Sequence, residues 1–398
     1  MANALRLSKS NTPQEKRPVI AQVLPALVRG GVERGTVEMA QAIQNAGGRA
    51  IVVSAGGPLE RHIVRCGATH HTLPVNVKNP MKWGSTRRKL QQIFKDEGVD
   101  IVHVRSRAPA WITLPVAKKL RIATVSTVHG RFQTHSIFKR IYNGKLVKVD
   151  HVIAISKYIK QLINSQFVGV DERMTVIHRG VDTDVFDPQA VNQTRIINFA
   201  DSVALPEEMP VVMLPARPTF WKGHEVLLDA LALIKDLPFI CLFVGAADGK
   251  QSFIDRITKH GVDRGLEGRF RLSHAVDDMP AALMVADVVV MPSITPEPFG
   301  RIALEAQAMG RPVVAFDHGG AVESIKHGQT GWLAKPGDAE SLAACIREAL
   351  ELQGSARQEL ADKSRAHIEG SFSTKRMCNE TIKIYRRILQ KSQVVSKG

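Results

Sequence analysis

Glu297 and Glu305 have seven residues between them in Glu297-Pro298-Phe299-Gly300-Arg301-Ile302-Ala303-Leu304-Glu305. A carboxylate accepts hydrogen bonds from sugar hydroxyls, and a second one nearby can grip another hydroxyl pair. The apolar run 287–291 precedes the block and a helical pattern over 302–309 follows it. The pattern is that of a strand, a polar turn and the opening of a helix. Backbone N–H groups at a helix start are unpaired and carry partial positive charge, so they suit phosphate. The stretch therefore reads as a site for a ligand that carries both phosphate and hydroxyls.

Other residues could complete such a site. Arg217 and Lys222 follow the apolar run 211–214, and two cations on one strand-to-helix loop can neutralise a diphosphate. Two solvated surface charges would have the same spacing. Gly30 and Gly31 follow the first apolar run, where amides could approach a phosphate closely or simply form a tight turn. Glycines at 30, 31 and 35 do not spell the dinucleotide fingerprint, and no Walker A pattern occurs. His129 lies at the end of the run 124–128 and could hydrogen-bond a sugar, or be structural. His103, inside the run 100–104, reads as a core histidine with satisfied nitrogens. His318, ahead of Gly319-Gly320, is a plausible lining residue. No nucleophile elbow, catalytic-triad spacing or metal-ligand cluster stands out, so serine hydrolysis and metal-assisted chemistry are disfavoured.

The elements that would position these residues alternate. Apolar runs at 19–24, 50–54, 101–104, 124–128 and 152–155 are separated by helical segments such as 32–45. A second series follows at 211–214, 239–244, 270–272, 287–291 and 312–316, with helices at 225–233 and 339–352. Short apolar strands between helices imply parallel sheets covered on both faces. The expected architecture is α/β, with two doubly wound Rossmann-like domains facing a central cleft. Ligands in such sheets bind beyond the carboxyl ends of the strands, where the polar residues above fall. Residues 1–18 and 393–398 read as tails, and 190–210 as an irregular linker region. The domains are then 19–192 and 193–372, with a last helix over 373–392.

The 398 residues suffice for two full cores, and 44% hydrophobic with 23% charged residues is ordinary for a soluble protein. Four scattered cysteines exclude a disulfide scaffold and fit a reducing cytoplasm. No run has transmembrane length, and residues 1–17 carry no hydrophobic signal segment. The net charge is +16, and the window 78–148 holds 16 Lys/Arg against Asp96, Glu97 and Asp100, or +13. Anionic lipid, an acidic acceptor or plain solvated faces would each account for it. Nucleic acid is disfavoured, because aromatics are only 5% and no reading module is present. Within that window 135–149 has the spacing of a basic amphipathic helix, most simply one packed on its own domain.

Taken together, the chain resembles family-four retaining glycosyltransferases of the GT-B fold over nearly everything after residue 18. The E-x7-E block Glu297–Glu305 is the most specific element. Gly30-Gly31-Val32-Glu33-Arg34, Val128-His129-Gly130, the run from Arg179 to Phe186, Arg217 with Lys222, and Gly319-Gly320 with Glu323 support it. The resemblance implies a nucleotide-sugar donor held mainly by the C-terminal domain and an acceptor on the N-terminal one. It implies that Arg217 and Lys222 bind the diphosphate, Glu305 the ribose, and Glu297 the donor sugar. His129 would contact that sugar near its reacting carbon, and the main chain of Phe299, Gly300, Arg301 and Ile302 would lie against sugar and phosphate. The Gly30 and Gly31 amides would touch phosphate on closure, and the last helix would cross back to the first domain. No metal and no cofactor beyond the nucleotide sugar is implied.

The expected function is sugar transfer to a lipid-linked or lipopolysaccharide-type acceptor, in cell-envelope glycan synthesis on the cytoplasmic face of the plasma membrane. A nucleotide-sugar enzyme that does not transfer, such as an epimerase, shares the fold. A silent basic binding protein is the remaining alternative, and the retained Glu297, Arg217 and Lys222 argue against it.

Overall fold

The structure is a computed structural model that describes residues 17–395 apart from 29, 78 and 133–135. The expected tails at 1–18 and 393–398 therefore fall largely outside the described residues. Two compact units emerge. One runs to His178 and resumes at Lys375, and the other is Arg179–Thr374.

The first unit is built on β1 (Val19–Val23), β2 (Arg49–Ser54), β3 (Thr69–Thr72), β4 (Ile101–Val104), β5 (Ala123–Val128), β6 (His151–Ala154) and β7 (Met174–Val176). They form a seven-stranded parallel sheet in the order β3-β2-β1-β4-β5-β6-β7. The second unit has β8 (Val211–Pro215), β9 (Ile240–Val244), β10 (Phe270–Ser273), β11 (Val288–Met291), β12 (Val313–Phe316) and β13 (Trp332–Ala334). Its six-stranded parallel sheet is ordered β10-β9-β8-β11-β12-β13. Central strands are buried along their whole length, as β-branched runs covered on both faces should be. In each sheet the order reverses beside the first strand, at β1/β4 and at β8/β11, and loops at such a switch point are forced together.

The apolar runs of the sequence become strands within a residue or so of their expected ends. The polar edge strand β3, with sequence Thr-His-His-Thr, and the three-residue β7 and β13 were not anticipated. The stretch 190–210 contains the helix Gln193–Ser202. Arg195 donates from Nε and Nη2 to Asp278 at 2.8 and 2.7 Å, which binds this helix into the second unit. The segment 135–149 also differs from expectation. Its helix is Ile137–Gly144, followed by a 3-10 turn at Lys145–Val147. Leu146, Val147 and Val149 are buried, whereas Ile137, Phe138, Ile141 and Tyr142 face solvent.

The final helix, Thr374–Val395, completes the first unit. Cys378, Ile382 and Tyr385 recur at i, i+4 and i+7 and are buried in the core with Ile20, Ile101 and Ile153. The fully buried Tyr385 hydroxyl shares a 2.5 Å hydrogen bond with His103 Nδ1, and His103 Nε2 shares one of 2.7 Å with Thr127 Oγ1. Both imidazole nitrogens are thus satisfied inside the sheet, as the sequence led us to expect. Burial, and secondarily the nearby Arg105, holds this ring well below the usual histidine pKa.

At the ends of the second unit the chain runs beside itself. Val181 N donates to Phe372 O at 2.9 Å and Thr374 N to Val181 O at 2.8 Å. A Cβ at Gly180 would lie 2.5 Å from Thr374 Cα, so only glycine permits this approach.

Replacing Tyr385 with Phe leaves a buried imidazole nitrogen without its partner, at a cost of about 1–3 kcal/mol. Tyr385→Ala adds a cavity and is expected to cost about 3–5 kcal/mol. Urea denaturation of the intact chain reads both, and equal stability of Tyr385→Phe and wild type would remove the hydroxyl from this account.

Candidate functional site

Three loops of the second unit leave the carboxyl ends of adjacent strands β8, β11 and β12. The loop after β8 carries Arg217 and Lys222 and ends at Gly223, whose φ of 79° is left-handed. A Cβ there would meet Pro292 O of the neighbouring loop at 1.9 Å. Ile294 N donates to Trp221 O at 2.9 Å, which ties the same two loops together. The loop after β12 brings Gly319 and Gly320 onto the backbone of 296–299. Gly320 N donates to Glu297 O at 2.8 Å, and a Cβ on Gly320 would stand 2.4 Å from Pro298 O.

This packing delivers Lys222 to Glu297. Lys222 Nζ donates to Glu297 Oε1 at 2.6 Å, and both side chains are mostly buried. Ser293 Oγ donates to the same oxygen at 2.5 Å. The Lys222 ammonium also lies 4.3 Å from the Trp221 ring centroid. Oε1 is therefore doubly engaged, while Oε2 has no hydrogen-bond partner among the described residues and can accept from a ligand hydroxyl. His318 approaches the group at second remove, with Nε2 2.7 Å from Ser293 O. Arg217 is exposed on the same loop as Lys222 and makes no side-chain hydrogen bond among the described residues.

The helix Arg301–Ala308 begins just past Glu297. Its N-cap is Gly300 at φ 84°, which has no side chain with which to cap the first turn. Phe299 is buried beneath it. A helix start with a glycine N-cap suits an anion. Ile302 and Arg301 occupy that first turn, and Arg301 Nη2 donates to Glu305 Oε1 at 2.9 Å. Glu305 is nearly buried, and its orientation is fixed by this contact within one helix.

In the first unit, His129 directly follows β5 and is partly exposed. Gly30 precedes the helix Gly31–Asn45 in an extended conformation (φ 165°) that any residue can adopt. A Cβ there would meet only the end of the Glu33 side chain, at 2.3 Å. Neither turn geometry nor rigid packing accounts for glycine at position 30. Among the described residues, no group of His, Cys, Asp or Glu could hold a metal ion.

Several residues escaped sequence reasoning. Ser293 and Trp221 have no spacing signal and are recognised only through Glu297 and Lys222. His224 opens the helix His224–Ala232, is buried, and makes no hydrogen bond from either nitrogen among the described residues. It packs against Phe243 and Phe253, with ring centroids 5.4 and 5.2 Å away. Burial, with the Lys222 charge as a lesser cause, lowers its pKa to about 4.

Two outcomes are expected. Gly320→Ala must displace the Pro298 carbonyl, costing about 1–3 kcal/mol in chemical denaturation. For His224, the unfolded chain binds the proton first, so stability is full above the ordinary histidine pKa and falls as pH drops toward about 4. His224→Phe is expected to remove up to about 3 kcal/mol of that acid loss, measured as the difference between wild-type and variant stability curves across the window. Superimposable pH dependences would exclude His224 as a contributor.

Residues 29–185 match a family model described as Glycosyltransferase Family 4, and residues 196–367 match one described as Glycosyl transferases group 1. A solved glycosyltransferase from Rickettsia africae ESF-5 is 33% identical at a TM-score of 0.87, covering 94% of this chain and 99% of that one. Anabaena Alr3699/HepE, solved in complex with UDP-glucose, is 23% identical at a TM-score of 0.77, over 92% of this chain and 98% of its own. The lipopolysaccharide core biosynthesis glycosyltransferase LpsE of Rhizobium meliloti is 34% identical over 168 residues, 42% of this chain and 47% of LpsE. The chain spans about half the length of several of the curated relatives it matches. Two parallel-sheet α/β units, tandem matches to both models and a one-third-identical relative aligned end to end establish that this chain belongs to glycosyltransferase family 4 and has the GT-B fold.

Proposed function

We propose that this chain is a retaining glycosyltransferase that moves a sugar from a nucleotide-diphosphate sugar to a hydroxyl of a lipid-linked or lipopolysaccharide-type acceptor in cell-envelope glycan synthesis. The observation that carries the reading is Glu297, with one oxygen fixed by Lys222 and Ser293 and the other left for a hydroxyl. The complex of Anabaena HepE with UDP-glucose supports the class of donor, and the likeness to LpsE supports the class of acceptor. The basic first unit supplies the acceptor side.

The chemistry follows from charge. As the nucleoside diphosphate departs, positive charge develops at the anomeric carbon and negative charge on phosphate. Arg217, Lys222 and the start of Arg301–Ala308 oppose the negative charge, and preorganised groups of this kind act where charge develops. Phe299, Gly300 and Ile302 supply main chain against sugar and phosphate, and Glu305 takes the ribose hydroxyls. Glu297 orients the donor sugar. The family resemblance assigns His129 to that sugar and the Gly30 and Gly31 amides to phosphate. The acceptor oxygen attacks on the face the leaving group vacates, forming the new glycosidic bond as the old one breaks, and a leaving phosphate oxygen takes its proton. The protein cations do the neutralising, and neither metal nor cofactor enters the scheme.

Nucleotide sugars should raise the melting temperature, since a ligand of the folded state stabilises it by mass action. Lys222→Ala is expected to lower kcat by about a hundredfold or more while the fold persists. Unchanged turnover would remove Lys222 from the diphosphate site. Product analysis by NMR should show the donor's anomeric configuration retained and acceptor required. Inversion would overturn the front-face route, and turnover without acceptor would indicate an epimerase-like reaction.

A further inference from the structure

Arg105 directly follows β4 at its carboxyl end, and its amide donates to Val23 O at 3.0 Å, so it stands beside the end of β1. The residue is only 5% exposed. Its Nε donates to Gln22 Oε1 at 2.9 Å. Gln22 is itself fully buried, and its Nε2 donates at 3.0 Å to Thr36 O in the helix Gly31–Asn45. That amide is thereby fixed at both ends and holds the guanidinium from one side.

The rest of the guanidinium is unused. Neither Nη1 nor Nη2 has a hydrogen-bond partner among the described residues, and neither is sealed from solvent. Glu38, on the same helix as Thr36, is the acid whose charge acts on Arg105, and no ion pair joins the two among the described residues. Burial lowers the Arg105 pKa, while Tyr385, Cys378 and Glu38 raise it. An arginine stays a cation under such influences. A nearly buried cation with an open fork is costly unless an anion completes it. Other arginines of this unit and the next spend their forks on the protein. Arg173 Nη1 donates to the Val147 and Val149 carbonyls, and Arg357 Nη2 pairs with Asp287.

Arg105 also stands where ligands gather. Strand order in this sheet reverses between β1 and β4, and open α/β sheets bind ligands beyond the carboxyl ends of the strands at that place. The helix Arg107–Leu120 starts immediately after, and its N-cap Ser106 makes no side-chain capping bond. The partial positive charge of that helix start adds to the guanidinium.

We propose that Arg105 is an anion subsite for the acceptor, its two Nη groups binding a phosphate or carboxylate that the acceptor carries, so that the enzyme selects acidic acceptors. The fork of an arginine matches either group through two parallel hydrogen bonds. The proposal rests on the transfer reaction proposed above and adds the chemical class of the acceptor.

The test has two parts. A thermal-shift series with UDP, GDP and ADP identifies the nucleotide that binds the full chain. With that nucleotide saturating, ligand-observed NMR titrations then compare glucose, glucuronic acid, glucose 6-phosphate and inorganic phosphate. Wild type should bind at least one of the anions about tenfold or more tighter than glucose, and the carboxylate and phosphate arms tell which group is read. Arg105→Gln should lose that preference, keep its nucleotide affinity, and melt no earlier than wild type without ligand, because an unpaired buried charge is gone. Arg105→Lys keeps the charge without the fork and should retain only part of the preference. Equal binding of glucose and the anions by wild type, or an undiminished preference in both variants, overturns the proposal and leaves transfer standing. So does a lower melting temperature of ligand-free Arg105→Gln, which would mark the arginine as structural. Failure of every nucleotide to bind would instead overturn the transfer reading, and with it the acceptor role of Arg105.

Discussion

No methyl group fits between Gly320 and the Pro298 carbonyl, or between Gly223 and the Pro292 carbonyl. These approaches let three loops from neighbouring strands lie against one another, and the site in the second unit depends on them. The reversal of strand order beside β8 makes the loops neighbours, and the missing side chains allow the final approach. The result is that Glu297 receives Lys222 and Ser293 on one oxygen. A mostly buried ion pair is costly to assemble unless its geometry is fixed in advance, and here the backbone fixes it.

Most of the framework was legible because buried parallel strands announce themselves as continuous apolar runs. β1, β4, β11 and β12 are of this kind, each buried throughout. β3 is a polar edge strand and β13 only three residues long, so neither had a composition to announce it. Periodicity fixes which face of a helix is apolar but not what covers it. The segment 135–149 shows the difference, with Val147 and Val149 inside the domain and Phe138 outside. The helix Gln193–Ser202 was hidden by its setting among turns, although Asn192 caps it by accepting from Arg195 N at 3.0 Å.

The candidate site was legible by residue type and place rather than by contact. Arg217, Lys222, Glu297 and Glu305 stand on strand-end loops or the helix opening after one, where chemistry was expected. The Lys222–Glu297 contact itself joins residues distant in the chain, and no spacing encodes it. Arg301 shows the opposite case, since its bond to Glu305 follows from helical i, i+4 geometry. Ser293 and Trp221 are ordinary loop residues until the partners they touch are known.

The short ladder between Val181 and Phe372–Thr374 has a consequence for how the molecule is made. The second unit begins and ends side by side, so it is a continuous cassette inserted into a sequence-discontinuous host. On the ribosome, the strands of the host emerge first, yet Tyr385 and its helix emerge only after the second unit. His103 therefore waits, its imidazole unpartnered on Nδ1, through synthesis of the whole cassette. The first sheet translated can close its core only after the second has been made.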